Sequence, residues 1–161
     1  MAEEYKLLAY LPFADPESEA ITRIAADLGQ PVTPGPEGAP EVSTGSFLIY
    51  GFVPDDVDRA AVTDLFGQDI NLTLVITDPD AGEQRVATPI AQSMVKIALL
   101  LAAVPGGSGL IVTDYIGSAI ILRFTGGEVT LNRDWSGWQD LPDVLAAVPQ
   151  PRRMDSLRGR T

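Results

Sequence analysis

The sequence contains no cysteine and no histidine among its 161 residues. Their absence excludes disulfide bonds, the usual zinc ligands and the catalytic triads that depend on an imidazole base. Lysine occurs only as Lys6 and Lys96. An enzyme built on this chain would therefore depend on carboxylates, on a hydroxyl with lysine, or on carboxylate-bound magnesium. We predict no catalytic residue and no metal or other cofactor.

Basic residues are scarce in the first half of the chain. Residues 1–80 hold 15 acidic and 3 basic side chains, whereas residues 81–161 hold 7 and 8, and the net charge is −11. This charge opposes binding to nucleic acids and anionic bilayers, because contacts to phosphate need cations. It favours a partner with a basic surface, and the alternative is the ordinary acidic surface of a soluble protein.

Long apolar segments are also absent. The longest run, IALLLAAV at 97–104, is far shorter than the roughly 20 residues that cross a bilayer. The first ten residues carry acidic side chains where a secretory signal would carry positive charge. We expect a cytoplasmic protein without a membrane-spanning segment.

The pattern of apolar residues predicts alternating strands and helices. In chain order, we expect a strand at 5–10, a helix at 15–28, a strand at 47–53, a short helix or irregular segment at 54–67, a strand at 70–77, a helix near 89–104, strands at 110–115, 118–124 and 128–132, and a short closing helix within 141–149. The proline-rich and glycine-rich segment 30–45 is expected to be an exposed loop.

This order of elements predicts one α+β domain over residues 1–149. We expect an antiparallel or mixed sheet, with the two main helices packed on one face and a C-terminal β-hairpin over 118–132. Gly126 and Gly127 can turn the hairpin. The remaining residues, 150–161, are polar and rich in arginine, and we expect them to form a basic disordered tail.

Two groups of side chains are candidates for binding a partner. Asp55, Asp56, Asp58 and Asp64 lie within ten residues, where they could form a solvated surface, a patch for a basic partner or a site for a divalent cation. Asp56 and Asp58, like Asp78 and Asp80, have a D-x-D spacing, but no twelve-residue calcium loop with its terminal glutamate fits either pair. Trp135 and Trp138 follow the hairpin, and they could either pack over the sheet or anchor a partner, since tryptophan is enriched at binding hot spots.

Four stretches carry a resemblance to a known family. They are EYKLLAYL at 4–11, the pair Leu28-Gly29, the pair Phe66-Gly67, and AIILRFTGGEVTLN at 119–132 followed by tryptophan. Over about residues 5–138, the order of these features resembles the immunity proteins of the bacterial swarm-inhibition toxin system. Members of that family neutralise a co-encoded toxin by binding it.

The resemblance implies an immunity protein that binds and neutralises a cognate toxin without catalysis. We expect that toxin to present a basic surface, with the four aspartates steering it and a tryptophan ring anchoring it. The alternatives are a small carboxylate-dependent enzyme and a scaffold or regulatory domain of unknown ligand. The sequence does not predict the identity of the toxin or the oligomeric state.

Overall fold

A nine-stranded sheet runs through the part of the chain that the computed structural model describes, which is residues 3–43, 47–78, 88–113, 119–135, 138 and 152–157. The strands are β1 (Glu3–Tyr10), β2 (Thr33–Pro34), β3 (Pro40–Ser43), β4 (Leu48–Phe52), β5 (Leu72–Asp78), β6 (Ser108–Val112), β7 (Ile120–Thr125), β8 (Glu128–Asn132) and β9 (Arg152–Asp155). They lie in the order β2-β3-β4-β5-β1-β6-β7-β8-β9, and only β8 and β9 run parallel. The prediction of a single α+β domain with an antiparallel or mixed sheet is confirmed, and the sheet is mixed.

Strand β1 joins the two halves of the chain, because it pairs with β5 on one side and β6 on the other. Its side chains alternate between the two faces of the sheet. Tyr5, Leu7 and Ala9 contribute to the larger hydrophobic cluster, whereas Leu8 contributes to a smaller cluster on the opposite face. Both faces of the central strands are therefore apolar, and both need a cover.

Two helices cover the face that carries the larger cluster, and we call it the α1–α3 face. Helix α1 spans Pro16–Leu28 and helix α3 spans Thr88–Ala102, close to the predicted ranges, and the two helices contact each other. Ile21 and Ile24 of α1 and Leu101 of α3 are buried in this cluster. A left-handed Gly29, with φ of 66°, ends α1 as predicted. The two main helices thus pack on one face.

A third helix, α2 (Asp56–Phe66), lies on the opposite face. Val62 and Phe66 are buried there against Leu8 of β1 and Leu110 of β6, and we call this the α2 face. Nη2 of Arg123 donates a hydrogen bond to the carbonyl oxygen of Phe66 at 3.3 Å. The segment expected to be a short helix or irregular is therefore a regular helix, which covers the second apolar face of the central strands.

The predicted C-terminal hairpin is present as β7 and β8. Gly126 and Gly127 form the turn with φ of 58° and 82°, a conformation that glycine adopts without strain. Asn132, at the end of β8, is buried, and its Nδ2 donates to the carbonyl oxygen of Ile120 at 2.6 Å. This side chain fixes the open end of the hairpin.

The proline-rich segment 30–45 was expected to be an exposed loop, and most of its described residues are exposed, but the expectation of a loop is wrong at two short strands. Strands β2 and β3 form a hairpin at the edge of the sheet, and the Gly35 N–H donates to the carbonyl oxygen of Ala39 at 2.6 Å. Prolines suit this position because an edge strand need not donate every N–H. Val42 of β3 is fully buried and ties the hairpin to the core.

The expectation of a disordered tail over 150–161 is wrong for residues 152–157. Strand β9 pairs with β8, and the N–H of Arg133 donates to the carbonyl oxygen of Asp155 at 2.7 Å. The N–H of Leu157 donates to Oδ1 of Asn132 at 3.1 Å, and its side chain packs against the smaller cluster. The exposed edge of β8 offers backbone partners that a count of polar residues does not reveal. The closing helix expected within 141–149 lies outside the described residues.

Within the described ranges, no helix combines the length and the apolar character that crossing a bilayer requires.

Candidate protein-binding surface

Both tryptophans are buried, so of their two predicted roles the packing against the sheet is confirmed and the role of exposed partner anchor is wrong. Trp135 is 8% exposed and Trp138 is 0% exposed, and both belong to the core on the α1–α3 face. Their ring centroids lie 5.0 Å apart in an edge-to-face arrangement. Nε1 of Trp138 donates to the carbonyl oxygen of Ile121 at 2.9 Å. The chain after β8 therefore folds back over the hairpin and seals its end.

The four aspartates lie around helix α2, on the other side of the sheet. Asp55 is the N-cap, and its Oδ1 accepts the N–H of Asp58 at 2.8 Å. Asp56 and Asp58 lie in the first turn, where the helix dipole favours negative charge. Asp64 is exposed about 12 Å further along the helix, given a rise of about 1.5 Å per residue.

The surface predicted from aspartates and tryptophans together is therefore not formed. The aspartates flank the helix of the α2 face, whereas the rings are enclosed on the α1–α3 face. The sheet separates the two groups. Only the acidic half of the predicted site remains available to a partner.

Exposed apolar side chains lie beside these aspartates instead. Phe52 at the end of β4 is 36% exposed, Val53 is 56% exposed, and Val57 in the first turn of α2 is 76% exposed. Three aspartates occur in the same stretch of chain, at positions 55, 56 and 58. We call residues 52–58 the β4–α2 surface. It combines apolar contact area with negative charge.

A groove of about 600 Å³ adjoins this surface. It lies where the 3-10 turn Pro36–Gly38 and the end of β4 meet the first turn of α1. The side chains that define it are aromatic, apolar or acidic: Glu17, Glu37, Tyr50, Phe52 and Val53. Its volume falls in the range of roughly 300–1,000 Å³ that is usual for ligand-binding clefts.

An aromatic pair forms one wall of the groove. The rings of Tyr50 and Phe52 are stacked, with centroids 6.4 Å apart and planes inclined by 29°. Burial raises the pKa of the Tyr50 hydroxyl above its ordinary value of 10.0, and the carboxylates of Glu4 and Glu41 raise it further. The hydroxyl therefore stays neutral in an environment of negative charge.

Glu17, in the first turn of α1, lines the groove from the α1–α3 face of the sheet. Its side chain is partly buried, and its Oε2 is enclosed with no hydrogen-bond partner among the residues that the structure describes. The approach of α1 to β4 depends on Gly51, because a Cβ at this position would lie 2.8 Å from Cδ2 of Leu74 and 3.5 Å from Cβ of Glu17. Glycine at position 51 thus allows helix α1 to pack closely against β4 at Glu17.

Glu37 contributes a second carboxylate from a strained position. Its φ of 53° and ψ of 28° lie in the left-handed region. Among the described residues, Glu37 is the one non-glycine residue with positive φ. Such a conformation costs about 1–2 kcal/mol for a residue with a Cβ. Strained residues of this kind are often found at functional sites.

The sequence contained part of the signal for this region. The stretch FVPDDV at 52–57 places two valines among aspartates, outside any apolar periodicity. The groove itself depends on three segments that are distant in sequence, around residues 17, 36–40 and 50–53. No local pattern reveals that these segments meet.

No metal site accompanies the groove in the described part of the chain, where no three acidic side chains converge on a common point. The pair of Asp78 and Asp80, which shares the D-x-D spacing, extends beyond the residues whose side chains are described. The arrangement can therefore offer carboxylates and aromatic rings to a cationic group, and apolar side chains to a larger partner. Comparison of the chain with protein-family models, with curated proteins and with solved structures found no match.

Proposed function

We propose that the chain is a non-enzymatic binding protein that recognises a basic partner protein through the β4–α2 surface. The observation that carries this proposal is the exposure of Phe52, Val53 and Val57 among three aspartates. Apolar side chains exposed as a group mark interaction sites more often than isolated ones do. The flanking carboxylates select a partner of positive charge.

The charge of the whole chain supports the same partner class. A net charge of −11, with 15 acidic and 3 basic side chains in residues 1–80, gives a field that accelerates encounter with a basic protein. A nucleic acid or an anionic membrane would be repelled by it. The aspartates would therefore govern association, and the apolar residues would govern dissociation.

The partner in this proposal is a toxin that the chain neutralises in the cytoplasm. The resemblance of the four stretches at 4–11, 28–29, 66–67 and 119–132 to swarm-inhibition immunity proteins supports this assignment. An acidic surface also suits it, since an acidic antidote can cover a basic site that a toxin uses on anionic substrates. No cofactor is needed for such a role.

A carboxylate-dependent enzyme is the second candidate, because Glu17 and Glu37 line the same groove. The exposed valines favour protein binding over this alternative, since a small substrate in the groove would leave Val57 in water. Hydrolysis of glycoside or phosphoester substrates by the purified chain, lost in Glu17→Gln and in Glu37→Gln, would establish the enzyme instead.

The proposal is tested by co-expression with the product of the adjacent gene. We expect a complex that survives size-exclusion chromatography, and restored growth of cells that express this product as a toxin. The double variant Val53→Ser/Val57→Ser should weaken the complex at least about tenfold, because it removes central apolar contacts. Val32→Ser is the matched control, since Val32 is 44% exposed outside this surface.

A full-strength complex with the double variant would place the interface elsewhere. If the wild-type chain forms no complex and gives no protection, the proposed function is wrong.

A further inference from the structure

We infer that two copies of this chain pair through the outer face of helix α3. This outer α3 face is formed by Lys96, Leu99, Leu100 and Ala103, whose spacing places them on one side of the helix. Lys96 and Ala103 are exposed, and the two leucines are partly buried. The inference goes beyond the proposed function, which depends on the β4–α2 surface and shares no residue with this face.

The composition of α3 differs from that of an ordinary surface helix. Lys96 is the one charged residue among its fifteen, whereas α1 carries four among thirteen and α2 carries four among eleven. Its inner side is buried in the core at Met94, Ala98 and Leu101. A surface helix usually has a charged outer side, and a helix that is apolar all round is normally covered on both sides. The composition therefore predicts a second contact on the outer α3 face.

An open groove of about 250 Å³ lies on this face, where α3 meets the last turn of α1. Leu99, Leu100 and Ala103 supply its apolar surface, and Asp27 and Lys96 supply its charged groups. Both leucines pack against the core with only part of their surface. An apolar side chain of a second copy can enter the groove and remove the rest of this surface from water.

The charge of the outer α3 face favours a second copy over the basic partner. The sequence of α3 contains no acidic residue. Two chains that each carry a net charge of −11 repel one another, so they come together most easily where negative charge is absent. The acidic first turns of α1 and α2 make those helices unsuited to self-association. A basic protein, in contrast, gains nothing from a face whose exposed charge includes a lysine.

The ion pair at the groove makes the surface complementary to itself. Nζ of Lys96 lies 3.7 Å from Oδ2 of Asp27, and the two side chains are 52% and 34% exposed. In a twofold dimer the same patch meets itself, so a patch with one charge of each sign brings lysine toward aspartate across the axis. Both charges are exposed enough to gain a second partner in this way.

The extent of the face sets the expected strength of the dimer. A contact made by α3 and the end of α1 from each copy lies at the lower end of the range for specific interfaces, at about 1,200 Å² of total buried area. We therefore expect a dimer with a Kd of the order of 10 μM, in equilibrium with the monomer. The β4–α2 surface of each copy stays free for its own partner.

Sedimentation equilibrium of the purified chain, from about 1 to about 300 μM, tests this inference. We expect the average mass to rise from that of a monomer toward that of a dimer. Ala103→Glu places a carboxylate in the groove and should weaken association at least about tenfold, because it adds like charge to an apolar contact. Ala26→Glu is the matched control at an exposed position of α1 outside the groove, and it should weaken association less than twofold.

A charge reversal tests the ion pair separately. Lys96→Glu leaves two carboxylates side by side and should weaken association at least about tenfold. The double variant Asp27→Lys/Lys96→Glu restores one charge of each sign, so it should associate within about threefold of the wild-type chain. A wild-type chain that stays monomeric throughout, equal effects of Ala103→Glu and Ala26→Glu, or a double variant as weak as Lys96→Glu would each overturn the inference.

Two further measurements separate the second copy from other occupants of the outer α3 face. Val53→Ser/Val57→Ser should dimerise as the wild-type chain does, and loss of the dimer in this variant would place self-association on the β4–α2 surface instead. Co-sedimentation with phosphatidylcholine vesicles should leave the chain in solution. Binding to these vesicles that Ala103→Glu abolishes would overturn the dimer and assign the face to a membrane.

Discussion

Trp138 donates its indole N–H to the carbonyl oxygen of Ile121 at 2.9 Å, within a core where its side chain is fully enclosed. The hydrogen bond connects the segment after the hairpin to β7, across 17 residues of chain. It satisfies the one polar atom of the ring, which is the condition for burying a tryptophan at low cost. The ring is therefore part of the fold and not part of an interface.

This relationship predicts a large loss of stability when Trp138 is changed. Trp138→Ala should lower the free energy of unfolding by about 3–5 kcal/mol, because it leaves a cavity in the core. Trp138→Phe should lower it by about 1–3 kcal/mol, because the carbonyl of Ile121 loses its donor. Unfolding in urea measures both losses. Val57→Ala at the exposed surface is the control, and it should change the free energy of unfolding by less than about 0.5 kcal/mol. A Trp138→Ala variant that is as stable as the wild-type chain but dissociates faster from a partner would show that the ring belongs to an interface.

Strand β9 predicts that the C-terminal residues contribute to folding. A chain ending at Gln150 should lose the pairing with β8 and the packing of Leu157, at a cost of about 2 kcal/mol. For a chain of this size that corresponds to a melting temperature lower by about 4–8 °C. Ser156→Ala is the control, since it removes only the hydroxyl that donates to Asp134, and it should have little effect. An unchanged melting temperature for the shortened chain would show that β9 is not docked in solution.

The positive φ of Glu37 predicts that glycine stabilises this position. Glu37→Gly should raise the free energy of unfolding by up to about 1 kcal/mol, because it relieves the left-handed conformation. Glu19→Gly, inside helix α1, should lower it by about 1 kcal/mol. Thermal unfolding of both variants provides the measurement. A destabilised Glu37→Gly variant would mean that this glutamate holds the turn through its side chain.

The raised pKa of Tyr50 predicts loss of stability in alkali. The folded chain favours the neutral phenol, so its contribution is fully present below the unfolded value of 10.0 and is lost as pH rises through the higher folded pKa. Stability should therefore fall above pH 10, and Tyr50→Phe should reduce this fall. Absorbance of ionised phenol, recorded for both proteins, identifies the transition. A Tyr50 transition at or below 10.0 would contradict the environment described for the groove.

Several elements were predictable because their signals are local. Helix α1 has an apolar stripe at Ile21 and Ile24 and a glycine at its end, and the hairpin has two consecutive glycines at its turn. The position of α2 was predictable in part, since Leu7 and Leu8 show that β1 is apolar on both faces. The prediction of helices on one face overlooked the need to cover the second.

The candidate site could not be predicted in full, because its parts meet only in three dimensions. Whether Trp135 is buried depends on how the chain turns after Asn132, and flanking polar residues do not reveal this turn. The groove needs the Gly51 contact between α1 and β4, which joins residues more than thirty positions apart in sequence. The acidic residues were found, because charge is visible in the sequence, and their apolar neighbours were not.

The central claim is that an acidic and apolar surface at 52–58 binds a basic protein. The most direct test is the rate of association with the purified product of the adjacent gene, measured by stopped flow at low and at physiological salt. The rate is compared for the wild-type chain, for Asp56→Lys and for the distant control Glu128→Lys. We predict association about fivefold or more slower for Asp56→Lys at low salt, a smaller difference at physiological salt, and little effect of Glu128→Lys. Association that is equally fast for both variants and insensitive to salt would contradict the claim.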